Sequence, residues 1–261
     1  MLGTRALGPA NFGLGAVALS AMVVLLLSLA GDPPQATIVA RGLDTALGGI
    51  LALAAYVTWP TWERRQLPAV LADLLEAYRQ YFHAVLAGYL DPNGASPEAL
   101  AASRRRARLA RTNALASLSR LRAEPTRSRT LLERADRLLA SSHRFVRAVM
   151  ALEAALYHAP DPRLRAPESL RSFAEDTDAI LGAAVDRVRG QSDAPALGAL
   201  PDLRADERRL AEALAASRGT GQASAVLAAQ ADRIANSIVT IAQVLATAES
   251  AAQPAVERPK R

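Results

Sequence analysis

Cysteine is absent from the 261-residue chain. That excludes a disulfide framework and any thiolate-held metal. Aromatic residues make up only 4%. With β-branched residues also sparse, the composition disfavours sheet and favours helix. Lysine occurs once, as Lys260, so arginine carries nearly all the positive charge. The histidines are His83, His143 and His158, none with a second ligand three or four residues away, and no HExxH motif occurs. No nucleophile elbow surrounds any serine. Arg218-Gly219-Thr220-Gly221 lacks the Gly-Lys-Ser/Thr of a phosphate loop and follows no strand, so it reads as a turn between helices. These absences leave no catalytic residue, no metal site and no cofactor to name, and an enzyme has no supporting constellation.

What is present is alanine, leucine and charge, unevenly spread. Half the residues are hydrophobic (51%) and the net charge is +6. Up to residue 62 the charges are Arg5, Arg41, Asp32 and Asp44, which cancel, so the whole excess lies in 63–261.

Residues 12–30, FGLGAVALSAMVVLLLSLA, run 19 positions without a charge. At ~1.5 Å per residue a helix of that length matches the roughly 30 Å hydrocarbon layer. Asp32-Pro33-Pro34 ends it. Ser28-Leu29-Ala30 has the small-x-small form of a leader cleavage site, but the apolar stretch is long, one arginine precedes it, and a second apolar segment follows at once. The segment therefore reads as a span rather than a removed leader.

The second span is expected at about 42–60. Arg41 can snorkel to the headgroups at its start, and Asp44 falls on the same helix face three residues on. Tyr56, Trp59 and Trp62 stand where an interfacial aromatic belt belongs, and Glu63-Arg64-Arg65 faces water. Counting Arg5, Arg64 and Arg65 against the loop's Asp32 and Arg41 places both ends in the cytoplasm, on the inner (plasma) membrane. Gly48, Gly49, Ala52 and Ala55 give this helix a small-residue face that admits another membrane helix. Two helices alone do not enclose a polar path, so further membrane helices, from a second copy or a partner subunit, are expected together with membrane lipid.

Beyond residue 62 apolar residues recur at three and four: Leu67, Val70, Leu71, Leu74, Leu75, Tyr78, Phe82, Val85, Leu86 and Tyr89. Asp91-Pro92-Asn93-Gly94 is a turn. Ser96-Pro97-Glu98 starts a helix that runs to about Ala123, where Glu124-Pro125 breaks it. A third helix continues to about His158. Pro167 opens a fourth that ends near Gly190, and helices over about 202–217 and 222–249 follow. Glu175-Asp176-x-Asp178 reads as a solvated acidic face. Arg104, Arg105, Arg106, Arg108 and Arg111 spread around one helix. With neither a groove-fitting motif nor interleaved aromatics, they do not predict nucleic acid as a partner. They read as a charged face meeting acidic neighbours, with anionic lipid as the next alternative.

Two stretches together carry a resemblance. Arg41-x-x-Asp44-Thr45, then Gly48 and the apolar run to Trp59-Pro60-x-Trp62-Glu63, resembles the last membrane segment of the fusaric acid resistance family of aromatic acid exporter-like membrane proteins. Arg104-Arg105-x-Ala107-Arg108-x-Ala110-Arg111-x-Asn113-Ala114-x-Ala116-Ser117-Leu118, then Glu124-Pro125, resembles the cytoplasmic helix that follows. The resemblance covers about residues 12–160. It implies a proton-driven export protein for aromatic carboxylic acids, with Arg41 and Asp44 as pathway or helix-pairing residues. Such proteins carry about a dozen spans in two halves. This chain has two, corresponding to the end of the second half, which implies a truncated product or one piece of a split transporter. A membrane-tethered helical scaffold that transports nothing is the other reading.

The expected fold is thus all-α: a two-helix transmembrane hairpin (1–62), a cytoplasmic antiparallel helical bundle (63–250) and a disordered tail (251–261).

Overall fold

The computed structural model describes residues 21–26, 29, 34–58, 63–91, 96–124, 129–158, 167–191, 195, 200–216 and 222–252. Every regular element among them is helical. The chain divides into two compact units, Met1–Thr61 and Trp62–Arg261.

In the first unit, residues 21–26 and 29 are helical, and the rest of the expected span over 12–30 lies outside the described residues. Helix α1, Pro34–Thr58, has 25 residues. It starts eight positions earlier than the expected span at Gly42. The physical reason is Pro34 itself: a proline cannot continue a preceding helix but suits the first turn of a new one, where its missing N–H costs nothing. At ~1.5 Å per residue α1 is about 37 Å long, more than the hydrocarbon thickness.

The second unit holds α2 (Glu63–Leu90), α3 (Pro97–Ala123), α4 (Arg129–His158), α5 (Glu168–Val188), α6 (Leu203–Ala216) and α7 (Gln222–Ala252). The boundaries have local causes. Ser96 is extended and its Oγ accepts the Ala99 N–H at 3.2 Å, with Pro97 behind it. Glu124, held extended (ψ 131°) before Pro125, ends α3. Pro167 is the cap of α5, not its first residue, with ψ at 155°. At the far end of α5, Gly190 takes φ +77° while Gln191 N–H reaches the Asp186 carbonyl and Gly190 N–H that of Arg187, both at 3.0 Å. This is a Schellman closure, which favours glycine because a side chain at that φ is strained. Helix α7 runs to Ala252, so the expected disordered tail begins inside a helix; 253–261 lie outside the described residues.

Helix directions follow from paired residues. Gln80 of α2 meets Arg106 of α3, and Arg104 and Arg122 of α3 meet Glu153 and Asp136 of α4, so α3 runs antiparallel to α4. Asp73 with Arg189, and Arg79 with Asp178, set α5 antiparallel to α2. Helix α2 packs on α3, α4 and α5, and α7 packs on α4, α5 and α6. One core unites them, from Leu67 to Ile241, with Tyr78, Tyr81, Phe82, Phe145, Phe173 and Leu152 among its largest fully buried side chains. At roughly 1.5–3 kcal/mol per large buried side chain, burial is the dominant force holding these helices together.

Candidate functional site

Every residue of helix α1 whose side chain is described is exposed. The 18 residues Ile38–Ala55 are long and apolar enough to cross a membrane, and none is buried. At 100° per residue, Arg41, Asp44, Thr45, Gly48, Gly49, Ala52 and Ala55 fall within about 140° of one another. The opposite side carries Val39, Leu43, Leu47 and Ile50, each between 58% and 66% exposed. A β-carbon built on Gly42, Gly48 or Gly49 would meet nothing within 4 Å. So one side gathers the polar and small residues, with Ile38 among them, and the other is bulky and apolar. Such a helix leaves its apolar side open to water, which is unfavourable unless something covers it.

The expected site residues fall as follows. Arg41 and Asp44 share the small face, both exposed; no ion pair joins them among the described residues. Thr45 Oγ1 donates to the Arg41 carbonyl at 2.8 Å, which satisfies the hydroxyl within its own helix. Tyr56 lies in α1 and Arg64 in α2, with side chains outside the described residues. Arg65 is exposed in the first turn of α2. Trp59 and Trp62 lie outside the described residues.

The bundle contains three polar clusters that the sequence did not announce. Glu153, 6% exposed, accepts from the buried Tyr81 hydroxyl and from Arg104 Nη1, the latter at 2.9 Å. Burial first, then the hydrogen bond to Glu153, pushes the Tyr81 phenol far above its ordinary value, so it is a permanent donor.

The second cluster joins α2 to α5. Arg79 bridges Glu76 (2.8 Å) and Asp178 (3.1 Å), and His83 Nε2 lies 2.6 Å from the same Asp178. Burial pulls the Glu76 carboxyl up, but the Arg79 and Gln80 hydrogen bonds outweigh it and hold it below the usual range.

The third is a carboxyl pair between α5 and α6. The hydrogen bond to buried Asp206, then burial, raises Asp176 to about 6, while Arg209 pairs with Asp206 from solvent. Glu175-Asp176-x-Asp178 is therefore not one solvated face. Asp176 and Asp178 serve two different interhelical contacts, because residues two apart on a helix point in different directions, and Glu175 alone stays exposed.

Among the described residues no group of three His, Cys, Asp or Glu side chains is placed to hold a metal. Each cluster ties helices together; none sets a nucleophile against a base.

Over 147 residues the chain is 30% identical to the inner membrane protein YccS of Escherichia coli (strain K12). The match covers 56% of this chain and 20% of that protein, so the chain corresponds to about one fifth of its relative's length. No family model matches the chain. No solved structure matches it. The similarity to an inner membrane protein agrees with the exposed apolar character of α1.

Proposed function

We propose that the chain is a membrane transport component resembling proton-driven exporters of aromatic carboxylic acids. It is anchored in the inner membrane, with both ends of its hairpin on the cytoplasmic side. The observation that carries this reading is the two-sided surface of α1. A helix that needed only to anchor the bundle would do well apolar all round. One that groups Arg41, Asp44 and Thr45 with Gly48, Gly49, Ala52 and Ala55 on a single open side is shaped to pack against other membrane helices. Charged groups within a span face a protein interior or a polar path, because lipid solvates them poorly. In this reading Arg41 and Asp44 line a pathway or pair with charges on neighbouring helices, which are supplied by further copies or by a partner subunit. Similarity to an inner membrane protein and the resemblance to the exporter family both support it.

The test is efflux of an aromatic acid such as fusaric or hydroxybenzoic acid from cells carrying the intact assembly. Arg41→Ala and Asp44→Ala should each reduce efflux at least tenfold while the protein still reaches the membrane. Wild-type efflux in both variants would remove the pathway role.

A second reading is favoured by the bundle, whose core and interhelical ion pairs are drawn from α2 to α7. A self-sufficient bundle on a tether suits a scaffold that transports nothing. Purification from native membranes in mild detergent separates the two, because only the transport reading requires co-purifying spans.

A further inference from the structure

Helix α3 carries seven arginines and one acid, Glu98. Some of these charges are answered: Arg104 by Glu153, Arg122 by Asp136 and Arg106 by the Gln80 side chain. The two ion pairs at the ends of the α3–α4 seam set its register. Between them, that register brings Arg108 level with Met150, Arg111 with Arg147, and Leu115 with His143. Arg108, Arg111 and Arg147 are exposed, and their guanidinium groups have no hydrogen-bond or ion-pair partner among the described residues. His143 Nδ1 is buried and has no partner either. Leu115 and Met150, 46% and 47% exposed, flank the arginines. This stretch of seam thus holds three unanswered guanidinium groups, an unused imidazole nitrogen and two exposed apolar side chains, while the seam's Glu153 carboxylate is already held by Arg104 and Tyr81.

We propose that the α3–α4 seam binds the phosphate headgroup of an anionic phospholipid through Arg108, Arg111 and Arg147, with His143 as a fourth polar contact. Guanidinium forks match phosphate oxygens in geometry and charge. Leu115 and Met150 suit the acyl-proximal part of a lipid, whereas a free inorganic anion has no use for them. The occupant is local: a chain with a membrane-crossing helix holds its own bundle at high effective concentration near headgroups. The inference rests on α1 entering a membrane and is independent of transport.

His143 supplies the reporter. Burial, then the guanidinium groups of Arg111 and Arg147, holds its pKa below the ordinary value. A phosphate seated among those arginines cancels their charge and raises it.

The experiment uses the full chain in neutral detergent, with the His143 ring followed by NMR through a pH titration. Phosphatidylglycerol, phosphatidylcholine or inorganic phosphate is added in turn. Phosphatidylglycerol should shift the His143 titration upward and saturate, and phosphatidylcholine should not. Arg111→Gln with Arg147→Gln should weaken phosphatidylglycerol binding about tenfold or more, from roughly one arginine's worth of surface attraction at each position. The control is Arg105→Gln with Arg137→Gln, which removes the same charge from exposed positions away from the seam and should leave binding nearly unchanged.

Equal losses in both double variants would reduce the effect to net charge and overturn the site. Saturation by inorganic phosphate at the same concentration would replace the lipid with a free anion. Binding to phosphatidylcholine would refute it outright. Carbonate extraction of native membranes reads the insertion of α1 separately, so loss of that reading is distinguishable from loss of the seam.

Discussion

At the scale of single residues, Glu153 decides the most. It is a buried carboxylate with two donors, one neutral and one charged, so its removal strands the Tyr81 hydroxyl in the core. Leaving a buried polar group unpaired is costlier than removing both partners. Glu153→Ala is therefore expected to destabilise the bundle by about 3 kcal/mol and Tyr81→Phe by about 1 kcal/mol. Tyr81→Phe combined with Glu153→Leu should recover part of the larger loss. Urea midpoints of the four proteins check the order; additive losses in the double variant would mean that the two side chains do not share a bond.

The carboxyl pair gives a residue-scale pH effect. Asp176 rises in the folded state from 3.8 to about 6, so the folded protein holds that proton more tightly than the unfolded chain does. Its contribution is complete below about pH 4 and is lost as pH rises through about 6. Asp206 is lowered, despite its burial, by the hydrogen bonds from Asp176 and Arg209, and it works in the opposite sense below its ordinary value. Between pH 4 and 6 the effect of Asp176 dominates. Asp176→Asn keeps a donor toward Asp206 without the proton equilibrium. It should raise the urea midpoint at pH 7, match the parent at pH 4.5 and flatten the profile between. A variant profile parallel to the parent would assign the slope to other groups.

At the scale of elements, glycine has opposite meanings in the two units. A β-carbon on Gly88 would lie 2.9 Å from Leu156 Cδ1, so α2 and α4 touch there. Gly88→Ala forces Leu156 to move and is expected to cost about 1 kcal/mol in bundle stability. Gly48 and Gly49 face open space in the chain. Gly48→Leu should leave the bundle's unfolding unchanged while abolishing disulfide cross-linking between single cysteines placed on the small face of α1 in native membranes. Persistent cross-linking would show that the approach of two such faces does not depend on Gly48, and its absence in the parent would show that this face does not meet its own copy.

Element limits were legible in the sequence wherever a cap or proline acts locally. Ser96-Pro97 and Glu124-Pro125 bound α3 at the residues expected. The start of α1 at Pro34 was missed, because the proline that stops one helix also suits the first turn of the next. The polar clusters were not legible at all. Tyr81 and Glu153 stand 72 positions apart, and nothing in the helical period of either segment says which face of α4 meets α2. The arginine run was visible as charge, but which arginines are answered depends on the α3–α4 register, which only the fold supplies.

At the scale of the whole molecule, the two units differ in how they bury their apolar residues. The core of the second unit draws on all six of its helices, and Leu67, Leu74, Phe82, Val149, Leu181 and Ile234 are fully enclosed within it. The interhelical pairs Arg104–Glu153, Arg79–Asp178 and Arg204–Asp232 close within the same unit. A domain of this size buries close to 70% of its unfolded surface, enough for independent stability. Among the described residues the first unit shows no such core, since every residue of Ile38–Ala55 is unburied. Residues 62–261 produced alone are therefore expected to be a water-soluble helical protein. They should unfold cooperatively in urea, while the full chain stays in the membrane pellet until detergent is added. Circular dichroism and sedimentation velocity on the 62–261 piece decide it. A helical monomer or small oligomer would show that the bundle is complete. Aggregation, or helix without a cooperative transition, would mean that its folding depends on the membrane unit. The scaffold reading would then lose its main support, and the transport reading would gain a reason for the two units to share one chain.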